Sequence, residues 1–223
     1  MMLDTAVLSL KTNRPVHEPA GKLRGCIGGM FPEHPLLHHH VDGGYLLTYP
    51  KIQYKVIEGT PFILGIEEGA GVLKEISGEI KRLELGSSIY EVAGRQINEQ
   101  EMEVIATRNM HRYRFLTPWL ALNKENYEKF KEIYEWRERK FFLNNILAAN
   151  ILSMCKGLGI IVDRSLYVHT HVDEKIIEFK SIPLKSFTGE FIVNFRIPDF
   201  FGIGKSVSQG YGTVKNIEGD RSR

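Results

Sequence analysis

The stretch FGIGKSVSQGYG, residues 201–212, places two closely spaced pairs of glycines around a polar segment with one lysine. Its letters Gly204-Lys205-Ser206 match the end of the P-loop motif, whose backbone amides and lysine enclose a triphosphate. Asp199 occupies the place of the first P-loop glycine and would repel phosphate, which argues against an NTPase. A glycine-rich loop before a last strand remains, and it can form an anion-binding surface or simply a turn. The loop glycines are Gly202, Gly204, Gly210 and Gly212.

The overall composition is that of an ordinary globular protein without an excess of positive charge. Of 223 residues, 43% are hydrophobic and 25% are charged, which allows one large domain or two smaller ones. The formal net charge of +2 excludes a polycation, so any contact with nucleic acid has to come from local basic patches. Such patches lie at residues 22–24, 108–114, 137–140 and 205–215.

Neither a disulfide framework nor a membrane segment is predicted. Cys26 and Cys155 lie in apolar surroundings and form no C-x-x-C pair, which indicates reduced core thiols. The N-terminus lacks the basic region and apolar run of a signal peptide, and no apolar run reaches the length of a membrane span. We therefore expect a cytoplasmic protein.

Hydrophobic periodicity predicts strands interrupted by a few helices. Residues 3–12 alternate as an opening strand, and a short glycine-containing helix follows Pro19. Residues 123–156 form the long helical stretch, with Asn123 as a plausible N-cap and a bend near residues 136–140. The fold class is therefore α+β.

The same elements recur in both halves of the chain. We expect β-α-β-β-α-β with an antiparallel sheet in each half, and we place the domains at 1–120 and 121–223. In the second half His169 and His171 alternate with Tyr167, which indicates a polar strand face.

The second notable stretch is HPLLHHHVDGGYLLTYPKIQYKV, residues 34–56, which holds four of the eight histidines together with Tyr45. Among side chains, the imidazole has the ordinary pKa closest to neutrality, so it can give or take a proton at working pH. If the segment is extended, His38 and His40 share one face.

Three interpretations of these histidines compete. His38, His40 and Asp42 could hold a zinc ion, although no H-E-x-x-H motif or cysteine pair completes such a site. The histidines could also belong to a plain surface loop. As general acid and base beside a tyrosine and a lysine, they suit the attack of an RNA 2′-OH on its adjacent phosphate. That reaction needs a base, an acid and a cation, and it needs no metal.

Two parts of the sequence together resemble the CRISPR-associated endoribonucleases that process repeat RNA, within the repeat-associated mysterious protein (RAMP) superfamily. The stretch FGIGKSVSQGYGTVK, residues 201–215, resembles the glycine-rich loop before the final strand of the second ferredoxin-like domain. LRGCIGG (23–29), LLHHHVDGGYLLTYPKIQYKV (36–56) and PFILGIEEGAGVL (61–73) are similar to the first half of an archaeal-type branch.

The resemblance implies two tandem ferredoxin-like (RRM-like) domains and one metal-independent cut in each repeat of the CRISPR RNA precursor (pre-crRNA). The expected products are a 2′,3′-cyclic phosphate and a 5′-hydroxyl, with no cofactor. Members use a histidine near the end of the first helix, often with a tyrosine and a lysine. In this sequence, the resemblance implies that these roles belong to His38 or His40, to Tyr45 and to Lys22.

With this resemblance, candidate RNA-binding residues can be named as a hypothesis. The four loop glycines would support RNA binding, and Lys205 would contact a phosphate. The basic helix around Arg137 and Arg139 would contribute to specificity.

Two other functions stay open at this point. The first is a non-catalytic RNA-binding scaffold subunit of a CRISPR ribonucleoprotein, which would not need the histidines of residues 38–45, a segment that we call the histidine loop. The second is a metal-dependent hydrolase that uses His38, His40 and Asp42, whose activity a chelator would remove. Beyond the repeat RNA, the expected partners are other effector-complex subunits and a second copy of the chain, with no membrane.

Overall fold

The computed structural model describes residues 1–38, 40–41, 44–45, 49–179 and 181–218. Single-turn 3-10 helices lie at Ser77–Glu79 and Val207–Gln209. The strands and α-helices are, in chain order, β1 (Met2–Thr12), α1 (Ala20–Met30), α2 (Pro35–His38), β2 (His40–Val41), β3 (Gly44–Tyr45), β4 (Ile52–Ile57), β5 (Thr60–Ile66), α3 (Glu68–Ile76), β6 (Arg82–Leu85), β7 (Ser88–Glu103), β8 (Ile105–Phe115), α4 (Lys124–Lys131), α5 (Trp136–Gly157), β9 (Val168–Phe179), β10 (Ile182–Arg196) and β11 (Val214–Asn216).

The chain forms two compact units. The N-terminal unit comprises Met2–Glu103 together with Ser206–Gly210, and the C-terminal unit comprises Val104–Lys205 and the chain from Tyr211, with Met1. The chain thus divides after Glu103, whereas the sequence pattern had placed the domains at 1–120 and 121–223. The difference arises because β8, which follows β7 almost immediately, pairs with β10 and β11 of the second sheet.

The N-terminal unit is a five-stranded antiparallel sheet in the order β4-β5-β1-β7-β6. Helix α1 connects β1 to the β4–β5 hairpin, and α3 follows the hairpin, which is the connectivity of a ferredoxin-like domain. The hairpin turn is Glu58-Gly59 with φ values of 49° and 77°, the type I′ geometry that suits a two-residue connection. Its core packs α1 and α3 on the sheet through buried apolar side chains, among them Leu8, Leu23, Ile27, Tyr54, Ile63 and Leu73.

The C-terminal unit is a four-stranded sheet in the order β11-β8-β10-β9. Asn123 caps α4 by accepting the backbone N–H of Asn126 at 2.6 Å, as expected. The helical stretch is interrupted between Lys131 and Trp136, just before the predicted bend. Both sheets and their helices confirm the α+β class and the tandem ferredoxin-like folds.

One expected element of the second half is absent. The described segment between β10 and β11 contains no α-helix, only the 3-10 helix Val207–Gln209. Gly204, Gly210 and Gly212 have φ values of 95°, 88° and 64°, which a right-handed helix does not contain. The β-α-β-β-α-β pattern is therefore complete in the N-terminal unit alone.

The aromatic side chains of the second half form its core. Tyr113, Trp119, Phe187 and Phe191 are fully buried, and the ring centroids of Tyr113 and Phe191 lie 5.3 Å apart. No helix in the described part of the chain is long and apolar enough to cross a membrane.

Candidate functional site

The entrance to the histidine loop is held by two side chains of the N-terminal unit. Arg24 on α1 donates through Nη2 to the carbonyl oxygen of His38, the last residue of α2. The Tyr54 hydroxyl on β4 donates to the carbonyl oxygen of Leu37 at 3.1 Å. Because the last carbonyls of a helix have no partner within it, these bonds fix the backbone where the loop begins. Sequence reasoning had counted Arg24 in a basic patch and had given Tyr54 no role.

His38 itself packs on α1. Its side chain is half-buried, and a Cβ added to Gly28 would lie 2.8 Å from His38 Nδ1. Gly28 therefore provides the space for the imidazole, which places His38 directly against the helix.

The other members of the predicted catalytic set are described in part. His40 and Tyr45 are Cα partners in the antiparallel pair of β2 and β3, so the chain brings their backbones opposite each other. Their side chains lie outside the described part of the structure, as do His39 and Asp42 entirely.

Lys22 lies in the first turn of α1 and is exposed. Within the described residues, its ammonium group makes no hydrogen bond or ion pair to His38 or to any other side chain. The structure therefore leaves Lys22 available to solvent and to ligands but does not join it to the histidine.

The glycine-rich loop contributes its middle segment, Ser206–Gly210, to the N-terminal unit. Ser208 Oγ accepts a hydrogen bond from Arg24 Nη1 at 3.3 Å. A Cβ added to Gly210 would lie 2.8 Å from the carbonyl oxygen of Tyr54 and 2.9 Å from Ala20 Cβ. The segment thus packs on α1 and β4, and Arg24 contacts both it and the histidine loop.

The loop glycines serve packing and backbone conformation. Gly202, Gly210 and Gly212 are buried. A Cβ added to Gly204, whose φ is 95°, would lie 2.7 Å from Trp119 Nε1. Gly204, Gly210 and Gly212 therefore need glycine whether or not RNA is bound. Lys205 is the exposed cation of the loop, and partial burial of its ammonium group lowers its pKa.

Lys55 is a fully buried lysine in the middle of β4. Its Nζ donates to Gln53 Oε1 at 3.0 Å, and burial lowers its pKa from 10.5 to about 7. The alternation of KIQYKVI puts Gln53 and Lys55 on the sheet face opposite Ile52 and Tyr54, which join the helix-covered core. Sequence reasoning missed Lys55, because alternation alone predicts an exposed lysine there.

The two arginines predicted on the basic helix differ in their availability. Arg139 donates to Glu174 Oε1 at 3.0 Å and to the carbonyl of Ile133 at 2.6 Å, so its guanidinium is engaged within the unit. Arg137 is exposed, with its guanidinium carbon 5.6 Å from the centre of the Trp136 ring.

The described residues offer no group of three or more His, Cys, Asp or Glu side chains that could hold a metal ion. The proposed zinc ligands His40 and Asp42 are not among the side chains described.

Comparison with known proteins covers both units. The family model of the Cas6b N-terminal domain matches residues 1–103, and the family model of the Cas6b C-terminal domain matches residues 105–217. The point between them coincides with the division of the structure after Glu103.

Solved structures match over nearly the full length. A protein described as "Crystal structure of Cas6b" is 33% identical with a TM-score of 0.89, covering 97% of this chain and 100% of that chain. A "CRISPR RNA processing endoribonuclease Cas6b" is 30% identical with a TM-score of 0.77, covering 97% and 100%. The uncharacterized protein MJ0978 of Methanocaldococcus jannaschii is 37% identical over 145 residues, which are 65% of this chain and 98% of that protein.

Tandem ferredoxin-like domains with a glycine-rich loop before the last strand define a protein of the RAMP fold. Within that class, the chain belongs to the Cas6b family.

Proposed function

We propose that this protein is an endoribonuclease that cuts CRISPR repeat RNA within pre-crRNA by metal-independent attack of a 2′-OH. The observation that carries the proposal is the match to both Cas6b domains, together with 30% identity over 97% of the chain to a CRISPR RNA processing endoribonuclease. The histidine loop, residues 38–45, follows α1 in the sequence and contains residue types that can act as acid and base in this chemistry.

The proposed reaction forms one bond and breaks one bond at phosphorus. The 2′-oxygen attacks the adjacent phosphate while a base removes its proton, and the bond from phosphorus to the 5′-oxygen breaks as an acid protonates that oxygen. The products are a 2′,3′-cyclic phosphate and a 5′-hydroxyl. A histidine can serve as base or as acid, and a cation stabilises the charge that builds on the phosphorane.

In this proposal, His38 or His40 transfers the proton, Tyr45 assists it, and Lys22 is the cation. The backbone pairing of His40 with Tyr45 supports their joint assignment. The hydrogen bond from Arg24 to the His38 carbonyl supports a fixed backbone position for His38, which catalysis requires of a positioned acid or base.

The test is cleavage of end-labelled repeat RNA in EDTA, with a parallel RNA that carries one 2′-deoxy nucleotide at the cut position. We expect a single cut that survives EDTA and disappears with the deoxy nucleotide. His40→Ala and His38→Ala should each be compared with His17→Ala, an exposed histidine of the same unit that serves as a matched control. Loss of cutting with retained binding in one of the first two would identify the catalytic histidine.

Other outcomes favour the alternatives. Tight binding with no cut would indicate a non-catalytic scaffold subunit, and a cut that requires added metal would indicate a metal-dependent hydrolase. Association with other effector subunits or with a second copy of the chain stays a prediction, which size-exclusion chromatography with and without RNA would check.

A further inference from the structure

Helices α4 and α5 of the C-terminal unit both contact one face of its sheet, and no other α-helix occurs among the described residues of that unit. On the covered side, Phe191 pairs with Tyr113 and with Thr170, and Asn144 of α5 accepts from the Thr170 hydroxyl at 2.8 Å. Since side chains alternate along strands, the residues between these point to the opposite side. We call that side the open face.

Strand pairing aligns two rows of side chains on the open face. Residues directly opposite each other in an antiparallel pair share a face, so the register can be followed across all four strands. The first row is Lys215, Arg114, Glu190 and His171, and the second is Arg112, Ile192 and His169. These two rows therefore carry three basic side chains and two imidazoles around one carboxylate, Glu190, and Asp173 lies on the same face one row beyond His171.

The carboxylate orients the two arginines without covering them. Arg112 Nε lies 2.8 Å from Glu190 Oε2, and Arg114 Nη2 lies 2.7 Å from Glu190 Oε1. Both arginine side chains remain 53% exposed, while Glu190 is 20% exposed. Within the described residues, the Nη1 groups of both arginines have no partner. Two guanidiniums thus share one negative charge and present free N–H groups to solvent.

The residues of this face indicate which kind of ligand it fits. In RRM sheets, aromatic side chains on the sheet stack on bases. Here the central strands β8 and β10 place Arg112, Arg114, Glu190 and Ile192 on the open face, and none of them is aromatic. Guanidinium groups match phosphate oxygens in charge and in geometry, so the face is suited to an RNA backbone rather than to base recognition.

We propose that the open face binds the phosphates of single-stranded RNA through Arg112 and Arg114, with Lys215 beside them. The inference rests on the proposed function for the identity of the RNA, and it assigns to the C-terminal unit a contact that the histidine loop and the glycine-rich loop do not supply. Glu190 sets the positions of the guanidiniums and limits the net charge of the face.

The test measures binding of a repeat RNA with a 2′-deoxy nucleotide at the cut position, over a range of salt concentrations. Each phosphate contact to single-stranded nucleic acid contributes about 0.7 to the slope of log K against log salt. We expect the double variant Arg112→Gln and Arg114→Gln to lower the magnitude of the slope by about 1.4. At low salt its affinity should fall roughly tenfold or more. A scrambled RNA of the same length should lose as much affinity, because phosphate contacts do not depend on sequence.

Two further variants make the test specific. Arg164→Gln is the matched control, since Arg164 is an exposed arginine of the same unit that bonds one carboxylate, Asp163, at 3.1 Å. It should change affinity less than about twofold, as surface ion pairs contribute little. Glu190→Gln releases the two guanidiniums from their shared charge, and we expect it to tighten RNA binding and to steepen the salt slope. Circular dichroism confirms that each variant is folded.

An unchanged slope in the double variant, or weaker binding by Glu190→Gln, would overturn the inference. The inference would also be overturned if the double variant lost affinity for the repeat RNA but not for the scrambled RNA. Such a result would show that the two arginines recognise bases. Cleavage of an unmodified repeat by the wild-type protein is measured in parallel. If the wild-type protein binds RNA without cutting it, the proposed function is wrong. The RNA affinities of the wild-type protein and the variants can still be compared in that case.

Discussion

Replacement of Lys55 by methionine should make the protein more stable near neutral pH. Lys55 is fully buried, and its Nζ bonds Gln53 Oε1 at 3.0 Å. No carboxylate in the described residues forms an ion pair with it. Burial without an opposite charge disfavours the ammonium form, which is why the pKa falls from 10.5 to about 7. Methionine has a similar length and carries no charge, so it fits the same space.

The magnitude follows from the two pKa values. Below pH 7 both the folded and the unfolded chain bind the proton, and the folded state is destabilised by roughly 5 kcal/mol. Between about 7 and 10.5 the unfolded chain binds a proton that the folded chain lacks, so wild-type stability rises with pH. The remaining penalty is roughly 4 kcal/mol at pH 7 and about 1 kcal/mol at pH 9.5. The variant also loses the bond to Gln53, at about 1 kcal/mol.

The net expectation is a gain of roughly 3 kcal/mol at pH 7 that falls to nearly zero at pH 9.5. For a chain of this size, that gain corresponds to a rise in Tm of roughly 6–12 °C. Thermal unfolding of wild type and Lys55→Met at the two pH values measures it. Lys11→Met is the matched control, because Lys11 is an exposed lysine on β1 of the same unit and should shift Tm little at either pH.

A variant that is less stable than wild type at pH 7 would refute this reasoning. It would mean that the surroundings of Lys55 stabilise its ammonium group by more than burial costs. A gain that stays constant between pH 7 and pH 9.5 would also refute it, since the pH dependence is the signature of the lowered pKa.

Two other predictions follow from contacts in the structure. Arg24→Met should slow single-turnover cleavage roughly tenfold or more at saturating RNA, because the His38 carbonyl loses its donor. An equally fast reaction with weaker RNA binding would instead make Arg24 an RNA contact. Gly212→Ala should destabilise by roughly 2–4 kcal/mol, because its φ is 64° and a Cβ would overlap the Ile203 carbonyl oxygen. Gly159→Ala, with a φ of 71° and open space around it, should cost only about 1 kcal/mol; equal losses in urea unfolding would contradict the steric argument.

Local chemistry was the part of the fold that could be predicted from the sequence. Asn123 has the side chain of an N-cap, and it caps α4. Phe191, Val193 and Phe195 alternate along the sequence, as expected for one buried face of a strand, and all three are fully buried. Glycine is a residue type that favours turns, and Gly59 lies between the end of β4 and the start of β5. In each case the deciding interactions lie within a few residues along the chain.

Contacts between distant segments could not be predicted in this way. The alternation around Lys55 correctly separated the two faces of β4, but it carries no information about what covers the second face. The glycines of residues 201–212 indicated a loop, yet not that Ser206–Gly210 would join the N-terminal unit. For the site, the histidine loop was found from composition, whereas the contacts of Arg24 with residues 14 and 184 positions away depend on the complete fold.

The place of Ser206–Gly210 gives the glycine-rich loop a role that does not depend on direct contact with RNA. Gly210 packs on the backbone of β4 at Tyr54, and Ser208 bonds the same guanidinium that holds the His38 carbonyl. A change in this segment therefore reaches the histidine loop through Arg24 and through the strand that carries Tyr54. Loss of activity on mutation of the glycines would not by itself establish an RNA contact. Loss of an RNA contact has to be distinguished from displacement of His38. Measurement of both RNA affinity and single-turnover rate makes this distinction, because displacement of His38 lowers the rate and leaves the affinity unchanged.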